Sequence, residues 1–120
     1  MATKALAAPV SIGTQCWRFT WVALSNGDDG APVNTADLAD MTFSVPSSAV
    51  FGAGGTILCE GSCDGSNWFT LKDPSSTPIS LTTPGHRAVL EHCPFTRCRV
   101  SAGDGTTSIP ATLMARRTSR

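Results

Sequence analysis

The amino-acid sequence predicts an all-β protein, an antiparallel, jelly-roll-like β-sandwich of about eight short strands. Apolar and polar residues alternate along short segments, which is the period of a strand with one buried face. Turn residues interrupt these segments, and 11 Gly and 8 Pro in 120 residues leave little room for long helices. With 41% hydrophobic and 15% charged residues, the chain is expected to fold as one domain around one core.

Four strands are predicted in the first half of the chain, and a turn follows each of them. In the first strand, Trp17, Phe19, Trp21 and Ala23 share one face, and the three aromatic residues are expected in the core. The third and fourth strands form a hairpin across residues 61–65. A helix of one turn is compatible with the sequence only at residues 35–40. The predicted strands cover residues 15–24, 41–45, 56–60 and 68–71.

The second half continues this pattern with four more strands. Cys98 and Val100 are predicted to point inward, while Arg97 and Arg99 point outward from the same strand. Pro110 has no N–H to donate to a ladder, so its strand is predicted at a sheet edge. These strands cover residues 78–81, 87–93, 96–101 and 108–114.

Three segments are predicted along the chain: an N-terminal arm at residues 1–14, the β-sandwich at 15–115 and a basic C-terminal tail at 116–120. The formal charges sum to zero, which disfavours a generally basic nucleic-acid binder. Up to Ser80, however, three basic residues stand against seven acidic ones, and the remainder has six basic against two acidic. Such a chain pairs its own halves or presents opposite poles to neighbouring copies. No apolar run approaches the length of roughly 20 residues that a membrane-spanning helix needs.

The cysteines indicate a reducing compartment. Their count is odd, and the N-terminus lacks the apolar core of a secretory signal, so free thiols are expected. Cys59-x-x-x-Cys63 and Cys93-x-x-x-x-Cys98 with His92 contain enough ligands for a zinc ion, but their spacing is unlike that of structural zinc sites. No metal and no cofactor are therefore predicted. The five cysteines are Cys16, Cys59, Cys63, Cys93 and Cys98.

The sequence does not indicate an enzyme. His92 and Cys93 are adjacent in a predicted strand, where they point to opposite faces and do not make a nucleophile–base pair. The glycine-rich segment at residues 52–55 lacks the Lys-Ser/Thr that completes a phosphate-binding loop. Neither feature supports catalysis.

Trp68 supports an alternative function as a carbohydrate-binding or receptor-binding module. It follows a loop of Gly, Ser, Asn and Asp residues, and an exposed Trp above such a loop is typical of sugar-binding surfaces. Residues 60–68 are also similar to a turn in discoidin-like carbohydrate- and lipid-binding sandwiches. That similarity is limited to one hairpin.

Four segments carry a broader resemblance. They are Thr20-Trp-Val-Ala-Leu-Ser-Asn-Gly-Asp-Asp-Gly-Ala-Pro-Val33, Phe51-Gly-Ala-Gly-Gly55, Glu60-Gly-Ser-Cys-Asp-Gly-Ser-Asn-Trp68 and Arg97-Cys-Arg-Val-Ser-Ala-Gly-Asp-Gly-Thr-Thr107. In order and spacing, this chain resembles the small cement, or decoration, proteins of tailed-bacteriophage heads. Cys63 departs from that pattern, which usually has a polar residue such as Asn there. Residues before Gln15 have no clear counterpart.

The resemblance implies a structural virion protein of jelly-roll fold. Such a protein is made in the host bacterial cytoplasm, binds the outer surface of the capsid and bridges major capsid subunits to stabilise the shell. The expected partners are the major capsid protein and other copies of the chain itself, in a dimer or trimer. No direct contact with nucleic acid or a membrane is expected.

Two sets of residues are predicted to contact the capsid or other copies. The first is a set of small apolar residues in the arm, and the second is a set of arginines on an outward strand face and in the tail. A solvated surface is the alternative for these arginines, because exposed charges often contribute little to binding. The predicted contacts are Ala7, Pro9, Val10, Arg97, Arg99, Arg116, Arg117 and Arg120.

Overall fold

The computed structural model describes residues 2–7 and 9–117, and all of their regular elements are β-strands. The all-β prediction is confirmed. The helical turn considered at residues 35–40 is absent, since β6 already begins at Leu38. The strands are β1 (Thr3–Lys4), β2 (Val10–Gly13), β3 (Cys16–Leu24), β4 (Asp29–Gly30), β5 (Val33–Asn34), β6 (Leu38–Val45), β7 (Thr56–Ser62), β8 (Phe69–Thr70), β9 (Ser80–Leu81), β10 (Gly85–Ala88), β11 (Phe95–Ala102) and β12 (Ile109–Arg117).

The described residues form twelve strands, where the sequence pattern predicts about eight. Five of them (β1, β4, β5, β8 and β9) contain only two residues, too few for alternation to reveal. The strand predicted at residues 87–93 is displaced, because β10 covers Gly85–Ala88 and residues 89–93 form no strand.

These strands form two sheets. The seven-stranded sheet has the path β1-β4-β11-β7-β8, with β5 also paired to β11 and β9 to β7. The five-stranded sheet has the order β10-β6-β12-β3-β2. The pair of β1 and β4 is parallel, and the other strand pairs are antiparallel. This arrangement is compatible with an all-β sandwich.

One hydrophobic core joins the two sheets. Trp21, Phe43 and Leu113 of the five-stranded sheet are fully buried, as are Ile57 and Val100 of the seven-stranded sheet. Because both sheets contribute their inner faces to one cluster, their outer faces point in opposite directions. The body measures 45 × 26 × 26 Å.

The alternation predicted from the sequence matches the burial in the two long strands that carry it. Phe19 is buried, and Trp17 packs against the core while remaining partly exposed. Cys98 is fully buried, whereas Arg97 and Arg99 stay partly accessible on the opposite face.

A β-bulge interrupts this alternation near the end of β3. Val22 and Ala23 together lie opposite the single residue Pro110 of β12. Ala23 is therefore exposed and Leu24 buried, whereas uninterrupted alternation places Ala23 inside. The edge position predicted for Pro110 is wrong, because β12 lies between β3 and β6. The bulge accommodates the missing N–H at the centre of the sheet.

The described residues of the predicted arm lie along the sheets. β1 pairs with β4, and β2 pairs with the free edge of β3. Between them, the Ala7 N–H donates a 2.8 Å hydrogen bond to the Thr20 carbonyl, and Leu6 packs against the core. Any role of residues 1–14 as a capsid-binding arm stays a prediction.

The C-terminal end of the described chain belongs to the five-stranded sheet. β12 extends to Arg117, so Arg116 and Arg117, which the sequence places in the tail, are strand residues paired with β6. Arg120 lies outside the described residues.

Candidate functional site

Arg97 and Arg99 lie on the outer face of the seven-stranded sheet, where both bind one carboxylate. Glu60, on the neighbouring strand β7, is only 3% exposed. The Nε atoms of Arg97 and Arg99 each donate a 3.0 Å hydrogen bond, to Oε1 and Oε2 of Glu60 respectively. Arg97 also donates from Nη1 to the Asp29 carboxylate at 3.3 Å. The two arginines thus compensate buried and half-buried negative charge within the chain.

These ion pairs distinguish the two interpretations of the uneven charge distribution. Glu60 and Asp29 belong to the acidic first part of the chain, and Arg97 and Arg99 belong to the basic last part. Arg116 makes the same kind of connection to Asp40. The chain therefore pairs its own halves through these contacts.

Trp68 is half-buried, and its ring packs against Arg97. The guanidinium carbon of Arg97 lies 4.3 Å from the ring centroid, within the range of a cation–π contact. One face of the predicted sugar-binding ring is therefore covered. Its neighbour Phe69 is 72% exposed and is the aromatic side chain that this hairpin presents to solvent.

The outer face of the five-stranded sheet combines exposed apolar side chains with an arginine. Val10 and Met114 are 44% and 42% exposed on this face. Both flank Arg18 in the strand register, so an exposed positive charge lies between two exposed apolar side chains. The cross-strand row reads Val10, Arg18, Met114, Thr42 and Ala88.

The structure divides the predicted contact residues between the two sheets. Arg97 and Arg99 lie on the seven-stranded sheet, already bound to Glu60. The others that it describes belong to the five-stranded sheet or to the segment along its β3 side. Arg116 pairs there with the exposed Asp40, and Arg117 lines a shallow cavity of about 240 Å³. The exposed members of this group are Ala7, Pro9, Val10, Arg116 and Arg117.

Carboxylates close the turns in the segments that carry the resemblance. Asp64 accepts hydrogen bonds from the N–H groups of Ser66 and Asn67, both at 2.8 Å. The Asn67 N–H, followed by the Ser66 N–H, holds the pKa of the Asp64 carboxyl well below its usual range. Asp104 accepts bonds from Thr106, chiefly its hydroxyl, and from the Ala53 N–H, which lower its pKa to about 2.

These polar residues therefore stabilise turns. The Ala53–Asp104 hydrogen bond also ties two of the four resembling segments to each other. The carboxylates of Asp64 and Asp104 are thus engaged in hydrogen bonds within the chain.

A groove with a volume of about 580 Å³ lies beside the β7–β8 hairpin. The exposed Phe69 forms part of its wall, and Lys72 and Glu91 face it as an ion pair with 3.8 Å between Nζ and Oε2. Cys63 and Cys93 line the same groove. The groove thus combines an aromatic side chain, opposite charges and two thiols.

The structure contains all five cysteines as free thiols. Cys59 and Cys98 are fully buried, and burial raises the pKa of both thiols. Among residues 2–7 and 9–117, no three His, Cys, Asp or Glu side chains converge as metal ligands do. The His92 ring nitrogen Nε2 donates to the Thr35 carbonyl at 2.8 Å, which gives this histidine a structural partner.

The chain was compared with protein-family models, curated proteins and solved structures, and none of them matches it. The part of the chain that the structure describes has no helix long and apolar enough to cross a bilayer. The function is therefore argued from the chain's own residues.

Three features of these surfaces were not predicted from the sequence. Glu60 gave no signal, because a carboxylate in an apolar strand looks like a solvent-facing residue until its two arginine partners are known. The exposure of Phe69 is not evident from the sequence, since alternation does not say which of the two adjacent aromatic side chains, Trp68 or Phe69, is covered by another side chain. The proximity of Cys63 and Cys93 depends on two segments of the fold, because 29 residues of chain lie between these cysteines.

Proposed function

We propose that this protein is a capsid cement protein, which binds the outer surface of a tailed-phage head and bridges neighbouring major capsid subunits. The observation that carries the proposal is the ordered series of four segments between residues 20 and 107 that resemble cement proteins. The all-β architecture is compatible with the jelly-roll fold that this resemblance implies. The jelly-roll topology is part of the proposal.

The outer face of the five-stranded sheet is the proposed contact with the capsid. Its exposed Val10 and Met114 offer apolar area that loses little polar hydration on binding. Arg18 between them and Arg116 nearby supply positive charge that favours an acidic capsid surface. Arg97 and Arg99 are less suitable, because binding a capsid carboxylate would separate them from the buried Glu60.

Stabilisation follows from mass action. A ligand that binds the assembled capsid better than its free subunits favours the assembled state, and bridging two subunits gives that difference in affinity. Contacts of modest strength suffice when many copies act on one shell. In this proposal the protein is made in the host cytoplasm and functions on the virion surface, with the major capsid protein and other copies of itself as partners.

A binding experiment with heads tests this proposal. Heads of the encoding phage, prepared without this protein, are incubated with the intact chain, and the occupancy and the temperature of DNA release are measured. Met114→Glu should lower the affinity at least about tenfold, because it adds a negative charge that repels an acidic capsid surface and offsets the charge of the neighbouring Arg18. Phe69→Ala is the matched control and should leave binding unchanged, since Phe69 is exposed on the other sheet.

Ionic strength separates the two kinds of contact. The double variant Arg116→Ala/Arg117→Ala should reduce the salt dependence of binding, whereas Val10→Ser should weaken binding at every salt concentration. Failure of the intact protein to bind any head contradicts the cement function. Normal binding by Met114→Glu contradicts the choice of surface only.

A carbohydrate-binding function is the second candidate, supported by the groove beside Phe69. An exposed aromatic ring next to hydrogen-bonding groups such as Asn67 and Glu91 is suited to stacking against a sugar. Saturable binding to a glycan array that Phe69→Ala abolishes and Met114→Glu preserves would favour this function. The same two variants therefore discriminate between both candidates.

A further inference from the structure

Cys63 and Cys93 lie together where β7 and β11 separate. The ladder between these antiparallel strands ends at the pair Ser62–Phe95. Cys63 is the next residue after β7, and Cys93 lies two residues before β11, so both leave the sheet at the same end. Both side chains line the same groove.

Their surroundings differ from those of the other cysteines. Cys63 is exposed and Cys93 partly exposed, so both are accessible from the groove. Cys59 and Cys98 are also neighbours, directly paired across β7 and β11, but they are fully buried. Cys16 belongs to β3 in the other sheet. Cys63 and Cys93 are therefore the adjacent pair of thiols that a reagent in solution reaches.

The Cys93 thiol packs against the backbone of β7 at Gly61. A Cβ at Gly61 would lie 3.0 Å from the Cys93 sulfur, so the absence of a side chain there lets the thiol approach the backbone of β7. The carboxylate of Asp64 accepts hydrogen bonds from the N–H groups of Ser66 and Asn67, and these bonds hold the turn that begins at Cys63 in one conformation. Both thiols thus project from ordered segments, which favours reaction with each other over reaction with a second chain.

We propose that Cys63 and Cys93 form a redox-sensitive dithiol, which a low-molecular-weight disulfide such as oxidised glutathione converts into an intramolecular disulfide. The Cys63 thiolate attacks one sulfur of the oxidant, and the first glutathione thiolate leaves and takes up a proton. Cys93 then loses its proton, attacks the Cys63 sulfur of the mixed disulfide and displaces the second glutathione. The protein loses two protons and two electrons, and the oxidised glutathione takes them up to become two thiols.

The order of the two attacks follows from accessibility. Cys63 is the more exposed thiol and meets the oxidant first. Burial raises the pKa of the Cys93 thiol, and its contact with Cys63 adds to this effect. Cys93 is therefore a neutral thiol at neutral pH and acts second, when the electrophilic sulfur is already beside it.

The disulfide would join the turn after β7 to the segment that enters β11. It would close a loop from Cys63 to Cys93 that includes β8, β9 and β10, and would thereby restrict the unfolded chain. It would also fix the rim of the groove beside Phe69. The oxidised protein is expected to be more stable than the reduced one, with the fold unchanged.

Oxidation of the intact 120-residue chain by oxidised glutathione tests the proposal. Free thiols are blocked with iodoacetamide after the reaction, and peptides are mapped by mass spectrometry without reduction. The expected product is one Cys63–Cys93 cross-link, with Cys16, Cys59 and Cys98 still alkylated after denaturation. Tm should rise by about 5–10 °C and return to its initial value with dithiothreitol.

Single serine variants separate the two steps. Cys93→Ser should accumulate glutathione on Cys63, since the second attack is lost, and Cys63→Ser should react slowly and form no cross-link. Cys16→Ser is the control and should cross-link like the unchanged protein. None of the three changes removes a fully buried side chain, so all should remain folded.

Three results would overturn the proposal: persistent glutathione on Cys63 of the unchanged protein, a cross-link between Cys59 and Cys98, or disulfide-linked dimers as the main product. A cross-link without the rise in Tm would contradict the stabilising effect. The chemistry does not depend on the proposed capsid function, because each step is measured on the isolated protein.

Discussion

At the scale of the residue, Gly30 is a position where a single added methyl group would collide with the core. A Cβ there would lie 2.5 Å from Cδ1 of Trp21 and 2.9 Å from the Cys98 sulfur. Trp21 cannot shift easily, because it is fully buried and its indole N–H donates a 2.7 Å hydrogen bond to the Ala31 carbonyl. Gly30→Ala should destabilise the fold by about 2–3 kcal/mol in urea denaturation.

Gly105→Ala is the matched control for this change. A Cβ at Gly105 would have no atom within 4 Å, and its backbone does not need a positive φ. Gly105→Ala should change the free energy of unfolding by no more than about 0.5 kcal/mol. Equal stability losses in the two variants would show that Gly30 is not limited by contact with Trp21.

Asp28 binds the beginning of the described chain to the sandwich through a hydrogen bond from Ala2 and an ion pair with Lys4. Burial raises its pKa, but hydrogen bonds from the N–H groups of Ser25 and Ala2, both at 2.9 Å, and the Lys4 ammonium outweigh burial and lower the pKa below 3.8. A carboxylate with a lowered pKa in the folded state stabilises the fold above its unfolded pKa. That contribution disappears as the pH falls through the folded pKa.

Asp28→Asn should therefore lower the free energy of unfolding by about 1–2 kcal/mol at pH 7. The difference from the unchanged protein should shrink as the pH falls below 3.8 and the carboxylate of the unchanged protein is protonated. Urea denaturation at pH 7 and pH 3 measures both values. A difference that is constant or larger at pH 3 would contradict this role of the carboxylate.

At the scale of elements, Glu60 connects β7 and β11 through its side chain as well as through their ladder. Replacing it with Gln removes the charge that two partly buried guanidinium groups require. Because Arg97 and Arg99 retain 17% and 37% side-chain exposure, water compensates part of the loss, and Glu60→Gln should cost about 2–3 kcal/mol.

Asp40→Asn provides the comparison for Glu60→Gln. It breaks the ion pair with Arg116, but both side chains are more than 60% exposed, so the effect should be below about 1 kcal/mol. Denaturation in low and high salt measures the two variants. Similar losses of stability in Glu60→Gln and Asp40→Asn would mean that the burial of Glu60 does not determine how strongly its ion pairs stabilise the fold.

The strands also show which parts of the fold the sequence pattern predicts and which it does not. Period-two alternation located β3 and β11 and their buried faces, because each strand is long enough for the pattern to repeat. It failed at Pro110, where the bulge in β3 replaces the edge position that proline usually requires. A bulge depends on the partner strand, so a local pattern does not contain it.

The candidate surfaces were less predictable for the same reason. The outward direction of Arg97 and Arg99 follows from local alternation, but their common partner Glu60 comes from β7. The contact of Cys63 with Cys93 likewise requires the antiparallel register of two strands. Residue types and spacing predicted which side chains are polar or reactive, and only the fold determined which of them meet.

At the scale of the whole molecule, the single core predicts cooperative unfolding. Side chains of both sheets belong to one cluster, so neither sheet retains a buried face when the other unfolds. Thermal unfolding followed by tryptophan fluorescence and by far-UV circular dichroism should give the same Tm. Midpoints that differ by more than about 3 °C would indicate independent unfolding of the sheets.

The course of the N-terminal segment along β3 determines how the molecule would bear a pulling force. Leu6 lies opposite Trp21, and Val10 lies opposite Arg18, so this segment is antiparallel to β3 and parallel to β12. Tension applied between the beginning of this segment and the end of β12 would therefore act along the strands, in shear. The hydrogen bonds on both sides of β3 would carry the load together instead of opening one after another. A protein that bridges subunits through its two ends would, with this geometry, resist stretching as a strap does.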